Sequence, residues 1–272
     1  MGFQLRIVPH GGMTLKVGFL GGGRMASAIA DGLLEHRSDL ELAVCDPALD
    51  ESWGSRRAKV VDASTLFEES TWLIWAIKPQ VFKTERQNWE KLSFSGTGMV
   101  SVMAGIPSAS IETLFPSIPV IRTMPNTPML VGEGMVALSR GSHASHDDLE
   151  TVQSLFSPIA QTMEVDEGQM HGVTAISGSG PAYLFRLSEV ICHEARELGL
   201  NSEQALTLWS QTLRGAATLM ESQGDPATLR EQVTSPGGTT QAALESFAKN
   251  DMPLAFAKGL RAAHERSVEL SR

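Results

Sequence analysis

The 272-residue chain has few of the features that mark specialised classes of protein. Its two cysteines, Cys45 and Cys192, have neither the number of a disulfide framework nor the spacing of a metal site, so no bound metal is expected. No apolar run approaches the roughly 18 residues that a membrane span requires. The net charge of −9 disfavours nucleic acid and anionic membranes as partners. These absences predict a globular protein whose ligands are small molecules or other copies of itself.

The first residues are not expected to form a signal peptide. Residues 1–12 contain one arginine and a short apolar piece, without the long apolar core and small-residue cleavage site of a signal peptide. The repeating strand and helix pattern begins after them, so residues 1–13 are expected to form a loose tail. The expected location is cytoplasmic.

Length and sequence pattern together predict two domains. In the N-terminal half, short apolar runs alternate with helical patterns, which is typical of βαβ units on a parallel sheet. The predicted strands are Leu15–Leu20, Leu40–Cys45, Lys59–Val61, Trp72–Ile77, Met99–Met103 and Val120–Met124. From Met170 onward helix formers dominate and strand runs disappear. We expect an α/β protein with a Rossmann-type doubly wound sheet over residues 14–166, followed by an all-α domain over residues 167–272.

A glycine-rich turn links the first predicted strand to a helix predicted over Ser27–Glu35. The turn reads G-x-G-x-x-A from Gly21 to Ala26. Gly21 permits a tight turn, Gly23 lets the backbone approach a pyrophosphate, and Ala26 lets the helix pack on the strand. The N-terminus of the helix would face the anion. This context favours dinucleotide binding over an ordinary glycine-rich turn.

The residues after the second predicted strand carry two opposed signals about the cofactor. Asp46 lies where an acidic residue binds the ribose 2′-hydroxyl of NAD, whereas Arg56 and Arg57 could pair with the 2′-phosphate of NADP. Asp46 is followed by Pro47, so it could equally be a structural turn residue. The residues alone leave both cofactors open.

Three further segments follow predicted strands, at the edge where open α/β sheets bind ligands. The first two are Lys78-Pro79-Gln80 and Ile106-Pro107, and the third edge is Arg122–Pro128, in which two prolines fix a turn around Asn126. Pro79 could also be the first residue of a helix, and Lys78 a solvated charge. The seven histidines form no metal pair, and surface or capping roles are expected for each of them, His171 included.

Taken together, these segments resemble the pyrroline-5-carboxylate reductase family. The most specific one is VTSPGGTT over Val233–Thr240, followed by Ala243, Leu244 and Phe247, although Ala248 departs from the polar residue usual there. The supporting segments, in the family's order, are FLGGGRMASAIADGL, AIKPQ, SVMAGI, IRTMPNTP and SGSGPAY. The resemblance extends from about residue 14 to residue 270.

The resemblance implies an enzyme that reduces 1-pyrroline-5-carboxylate to L-proline, the last step of proline biosynthesis. NADPH would be the usual hydride donor, with NAD possible because of Asp46. It also implies that the helical domain forms a homodimer or a larger homo-oligomer, in which the site borrows the Ser235–Thr240 loop of a partner.

Site residues carried over by position form two sets. With Asp46 and Arg56, the expected cofactor-binding residues are Leu20, Gly21, Gly22, Gly23, Arg24, Met25, Ala76, Ile77, Lys78, Pro79, Met103, Ala104 and Gly105. The expected substrate-binding residues are Ser235, Gly238, Thr239 and Thr240, with the acidic Asp166 and Glu167 near the site. Thr240 is the expected catalytic residue, placed to hydrogen-bond the ring nitrogen.

The chemistry fits these residues without reference to the family. A protonated cyclic imine is already a strong electrophile, so the protein mainly has to orient it against the nicotinamide. The Ser235–Thr240 loop supplies two glycines, two threonine hydroxyls and a helix N-terminus, which together suit a carboxylate. A plain helix cap after a turn is the alternative interpretation.

Three other functions compete with this one. A β-hydroxyacid dehydrogenase would need a lysine acid–base group on its early second-domain helices, and the segment from Val165 to Pro236 has no lysine. A reductase for a broader range of cyclic imines is compatible with the same residues. A non-catalytic dinucleotide sensor would bind the cofactor without oxidising it.

Overall fold

The computed structural model describes residues 15–49 and 51–271. The expected tail over residues 1–13 lies outside the described residues. Contacts divide the chain into two compact units. We call the described residues of 15–179 and 263–271 the sheet unit, and Gly180–Ala262 the helical unit.

The sheet unit contains an eight-stranded sheet in the order β3-β2-β1-β4-β5-β6-β7-β8. Its strands are β1 (Leu15–Leu20), β2 (Leu40–Cys45), β3 (Ala58–Val60), β4 (Trp72–Trp75), β5 (Gly98–Ser101), β6 (Val120–Pro125), β7 (Gly134–Arg140) and β8 (Ala160–Glu164). Only the β6–β7 pair among them is antiparallel. The order of the first six strands is that of a doubly wound dinucleotide-binding sheet, and the predicted fold class is confirmed.

Four of the six predicted strands have different bounds, and two further strands are present. β3 lies one residue earlier than predicted, β5 starts one residue and ends two residues earlier, and β6 ends one residue later. β4 ends at Trp75, two residues earlier than predicted, because Ala76 and Ile77 already belong to the loop that leads into the next helix. β7 and β8 are absent from the prediction. The polar residues of β8 and its position at the sheet edge leave little apolar signal to detect.

Between residues 15 and 179, the described part of the chain has these helices beside the sheet: α1 (Arg24–His36), α2 (Ser52–Ser55), α3 (Ala63–Glu69), α4 (Pro79–Trp89), α5 (Ser108–Glu112), α6 (His146–Phe156) and α7 (Met170–Val173). A 3₁₀ turn spans Thr127–Val131, another spans Glu167–Gln169, and a π-helical turn spans Thr174–Gly178. α1 buries Ala26, Ile29, Ala30 and Leu33. These residues recur at helical spacing, so α1 presents one apolar face.

Neighbouring residues of each central strand belong to different apolar clusters. Phe19 and Ile74 lie in one cluster, whereas Leu20 and Trp75 lie in the other. Successive side chains of a strand point to opposite faces, so the sheet is buried on both sides. Burial on both faces holds the strands in place, and the candidate site lies at the ends of these strands.

The helical unit is described by α8 (Gly180–Glu197), α9 (Ser202–Gln223), α10 (Pro226–Gln232), α11 (Thr239–Lys249) and most of α12 (Met252–Leu270). Asn201 starts α9 with a capping box, and Asp225 accepts backbone hydrogen bonds at the start of α10. Among the described helices, none is both long and apolar enough to cross a membrane.

The last residues of α12 belong to the sheet unit. Lys83 of α4 donates to the Leu270 carbonyl oxygen at 3.0 Å. A Cβ on Gly105, which has φ of +77°, would lie 2.9 Å from the Leu270 Cβ. Ser267 is buried beside His171. Residues that are far apart in the sequence therefore contact one another within this unit.

Candidate active site

The turn after β1 has space for glycine alone at Gly21. Its φ is +101°, and a Cβ there would lie between 2.7 and 2.9 Å from backbone atoms of Ala76 and Ile77. The Gly21 amide donates to the Cys45 carbonyl at 2.9 Å, and the Ala76 amide donates to the Leu20 carbonyl at 2.8 Å. The ends of β1, β2 and β4 thus meet at this turn, as the spacing of the motif predicts.

Helix α1 begins directly after the glycines, at Arg24. Gly23 is the N-cap and therefore offers no capping side chain, and the first helical turn, from Arg24, contains no acidic residue. A Cβ on Gly23 would meet no atom of the described residues within 4 Å. An uncapped helix N-terminus with open space before it fits a pyrophosphate, since the first amides of a helix lack internal partners.

Asp46 is engaged by backbone amides. Its Oδ2 accepts from the Gly22 amide at 2.7 Å and its Oδ1 from the Ala48 amide at 2.8 Å. The carboxylate therefore joins the end of β2 to the glycine-rich turn, while the second bond belongs to a local turn at Pro47. Of these two contacts, the sequence predicted only the local turn. The bond to the Gly22 amide was not predicted.

The Arg56 side chain contacts α1 and the Trp53 ring. Its Nε lies 2.5 Å from Asp31 Oδ1, and its guanidinium lies 4.9 Å above the Trp53 ring centroid. Arg57 donates to the Leu34 carbonyl oxygen at 3.3 Å. The two candidate partners for a 2′-phosphate therefore both make contacts with α1.

The other expected cofactor residues follow β4 and β5. Lys78 is the N-cap of α4 and Pro79 its first residue, as the alternative interpretation of this segment held. Met103 is buried, and its amide lies 3.3 Å from Ser101 Oγ. Because β1, β4 and β5 are consecutive in the sheet, the segments Leu20–Met25, Ala76–Pro79 and Met103–Gly105 follow adjacent strand ends.

Asn126 fixes the segment that follows β6. Its Oδ1 accepts from the Met135 amide at 2.8 Å, and its Nδ2 lies 3.3 Å from Ser177 Oγ. Ser177 belongs to the π-helical turn, a form often found at functional sites. Asn126 lies between Pro125 and Pro128. Its side-chain amide therefore connects β7 to the π-helical turn.

Glu167 is the acidic residue with the most partners here. Its carboxylate accepts from the Ser108 amide at 2.7 Å and from the Ser108 hydroxyl at 2.5 Å. It also pairs with Arg122, which is only 3% exposed, at 3.1 Å. Asp166 instead starts the 3₁₀ turn in a capping box with Gln169. The Glu167 carboxylate compensates the buried charge of Arg122.

His171 does not have the expected surface or capping role. Its Nδ1 lies 2.9 Å from the hydroxyl of the buried Ser267, and its ring lies 6.1 Å from that of His264 in an edge contact. Burial lowers the His171 pKa, and the positive charges of Arg122 and His264 act in the same direction, while Glu167 opposes them. Ser267 is 96 positions away in sequence, so no local pattern could have predicted this contact.

In the helical unit, the Ser235–Thr240 loop leads into α11. Gly237 has φ of +71°, and the Gly238 amide donates to the Ser235 carbonyl at 3.0 Å. Gly238 is the N-cap, so α11 begins at Thr239 without a capping side chain. Ser235 and Thr239 are exposed and Thr240 is half-buried. The helix start predicted at Thr239/Thr240 is confirmed, and its first amides can donate hydrogen bonds to an anion.

Comparisons with known proteins give matches to residues in both the sheet unit and the helical unit. A family model for pyrroline-5-carboxylate reductase dimerisation matches residues 167–270, and one for NADP oxidoreductase, coenzyme F420-dependent, matches residues 16–105. A pyrroline-5-carboxylate reductase of Arabidopsis thaliana is 35% identical over 98% of this chain and 99% of its own. The chain belongs to the pyrroline-5-carboxylate reductase family.

Other members of the pyrroline-5-carboxylate reductase family match over similar lengths. The Pseudomonas aeruginosa enzyme is 35% identical over 95% of this chain and 97% of its own. The structure of Plasmodium falciparum pyrroline carboxylate reductase with NADP bound superposes with a TM-score of 0.87, at 26% identity, over 96% of this chain and 100% of that one. The predictions of the family, of its reductase function and of an NAD(P)-dependent oxidoreductase are confirmed.

The helical unit of this family member buries little of its apolar surface within one chain. Ala205 is the one buried residue in its described range, residues 180–262. Its large exposed apolar residues include Leu184, Phe185, Val190, Leu198, Leu206, Leu208, Leu219, Met220, Phe247, Leu254 and Phe256. Surface of this extent normally marks an interaction site.

Proposed function

We propose that the chain reduces 1-pyrroline-5-carboxylate to L-proline with hydride from NAD(P)H. The observation that carries this proposal is the Ser235–Thr240 loop, which combines two glycines, two threonine hydroxyls and the uncapped start of α11. Membership of the reductase family supports it. The proposed location is the cytoplasm, and the proposed partners are this imine and further copies of the chain, as a homodimer or larger homo-oligomer.

We assign residues 14–166 to cofactor binding and residues 167–272 to assembly and substrate binding. The dimerisation model begins at residue 167, which supports this functional boundary. The compact units divide later, between Ser179 and Gly180. Residues 167–179 thus belong to the functional C-terminal region while they pack with the sheet unit.

In the proposed cofactor site, Leu20–Met25 hold the pyrophosphate through the amides at the start of α1. Ala76–Pro79 line the cofactor, and Met103–Gly105 lie near the nicotinamide. The bound cofactor supplies the hydride. Open space at Gly23 and the uncapped α1 N-terminus support this assignment. The choice between NADPH and NADH rests on how Asp46 and Arg56 meet the adenosine ribose.

In the proposed substrate site, the amides at the start of α11 bind the carboxylate, and the Thr240 hydroxyl oxygen accepts a hydrogen bond from the protonated ring nitrogen. When hydride adds to the carbon of the protonated C=N bond, the π electron pair moves to this nitrogen and neutralises its positive charge, which gives the secondary amine of L-proline. A hydrogen bond held at the nitrogen orients the ring for hydride transfer. Asp166 and Glu167 are proposed to act near this site. Glu167 accepts two hydrogen bonds from Ser108, which support a role for Glu167 in positioning Ser108.

The activity is tested by mixing the enzyme with NADPH or NADH and 1-pyrroline-5-carboxylate. We expect loss of absorbance of the reduced cofactor and an equal amount of L-proline. Unsubstituted 1-pyrroline, which lacks the carboxylate, is the matched control, and its kcat/KM is expected to be lower by roughly a hundredfold because charge-assisted hydrogen bonds are lost.

Each alternative function has its own result in this assay. Equal turnover of both imines would identify a broad cyclic-imine reductase. Turnover of a 3-hydroxy acid without turnover of either imine would favour the dehydrogenase. Binding of NADPH with no oxidation in the presence of any substrate would favour the sensor.

The role of Thr240 is tested by Thr240→Val, which removes the hydroxyl with little change in shape. We expect kcat to fall by roughly ten- to a hundredfold while the KM for the cofactor stays within twofold, because the hydroxyl acts on the substrate alone. Thr151→Val on α6, where the hydroxyl donates to the Asp147 carbonyl, is the control for loss of a helical threonine hydroxyl. An unchanged kcat in Thr240→Val would contradict the assignment.

A further inference from the structure

The amide and the carbonyl oxygen of Gly22 each form a hydrogen bond with a side chain. Its amide donates to Asp46 Oδ2 at 2.7 Å, and its carbonyl oxygen accepts from Trp53 Nε1 at 2.8 Å. Trp53 lies in the short helix α2 and is completely buried. A Cβ on Gly22 would lie 2.5 Å from Leu49 Cδ1 and 3.1 Å from Trp53 Nε1, so these side chains close over the glycine.

The indole of Trp53 is itself fixed on two sides. Its ring packs against Phe19 of β1, with centroids 5.8 Å apart and planes inclined by 58°. The Arg56 guanidinium lies 4.9 Å above the ring and pairs with Asp31 of α1. The indole is therefore positioned by direct packing on β1 and, through Arg56, by a connection to α1.

The bond to Gly22 also determines where the next amide points. In a trans peptide the C=O and N–H bonds point in opposite directions. A Gly22 oxygen that faces Trp53 therefore directs the Gly23 N–H away from Trp53. This N–H is among the first amides at the start of α1, where the pyrophosphate is proposed to bind.

We infer that Trp53 is a positioning residue for the dinucleotide, because it holds the peptide between Gly22 and Gly23 in the orientation that presents the Gly23 amide to the pyrophosphate. The inference rests on the cofactor half of the proposed function and needs no assumption about the imine. Because NADPH and NADH share the pyrophosphate, Trp53 acts equally on both.

The test is Trp53→Phe, which keeps an aromatic ring against Phe19 and removes the N–H donor. Cofactor binding is measured by titration of nicotinamide fluorescence without any imine, so the result does not depend on the reaction catalysed. We expect the Kd to rise roughly three- to tenfold, by the same factor for NADPH and NADH. If the enzyme reduces the imine, kcat at saturating cofactor is expected to stay within twofold.

Trp72→Phe is the matched control. Trp72 is another buried tryptophan of the same apolar cluster, and its indole makes no hydrogen bond to the described part of the chain. This variant should lose similar packing and thermal stability but leave both Kd values unchanged. Equal Kd values for Trp53→Phe and Trp72→Phe, or a rise for NADPH alone, would overturn the inference.

A second variant applies if Trp53→Phe does not fold. Arg56→Gln leaves the indole in place but weakens the contacts that hold it. We expect a smaller rise in the Kd for NADH, which lacks a 2′-phosphate, so that Arg56 cannot act through that group. An unchanged Kd for NADH in this variant would count against positioning through Trp53.

Discussion

Gly21→Ala is expected to abolish measurable reduction by NAD(P)H. The new Cβ would lie within 2.9 Å of backbone atoms of Ala76 and Ile77, and an L-residue at φ of +101° is strained regardless of space. Backbone atoms of Ala76, whose amide is hydrogen-bonded to Leu20 of β1, cannot move aside as a flexible side chain can. We expect a cost of about 3 kcal/mol or more, which lowers kcat/KM at least roughly a hundredfold.

Gly23→Ala is the companion variant, since its Cβ would meet no described atom within 4 Å and its φ of −72° suits any residue. Its melting temperature should match that of the parent, whereas that of Gly21→Ala should fall. The Gly23→Ala methyl would stand where the pyrophosphate approaches, so its KM for the cofactor should rise. A Gly21→Ala protein with parental melting temperature and cofactor affinity would refute the assignment of the turn.

The second large effect concerns assembly. With Ala205 as the one buried residue of its described range, the helical unit cannot be stabilised by a core of its own. We expect light scattering to give at least twice the 29.3 kDa mass of one chain. Phe185→Asp, which puts a charge on an apolar residue that is 64% exposed in the single chain, should dissociate the assembly and remove most of the activity.

Val60→Asp is the control for Phe185→Asp. Val60 is 59% exposed on β3, the edge strand of the sheet unit, so the substitution also replaces an exposed apolar residue by aspartate. The assembly mass and activity of this variant should be those of the parent. A parent enzyme that is fully active as a monomer at assay concentration would refute the proposed assembly.

The elements that could be predicted from sequence are those with local signals. β1 and β2 have the predicted bounds, and α11 begins where the glycines and threonines indicated. Local rules suffice there because a turn residue and a repeating apolar pattern act on near neighbours.

The side-chain partners of the site could not be predicted in the same way. Trp53 reaches Gly22 across 31 positions, and Glu167 reaches Ser108 across 59. Nothing in the immediate neighbourhood of Trp53 distinguishes it from an ordinary core tryptophan. Asp46 shows the same limit, since its local turn was foreseeable whereas its bond to Gly22 depends on how β1 and β2 lie side by side.

The return of the last residues of α12 to the sheet unit bears on the order of folding during synthesis. Lys83 and Leu270 are 187 positions apart, so their contact has to wait until the whole helical unit has left the ribosome. Contacts of such long sequence separation form slowly because a large loop must first close. The sheet unit, although it is translated first, is therefore completed last, and the ends of β4 and β5 that carry the cofactor residues acquire their final support only at that stage.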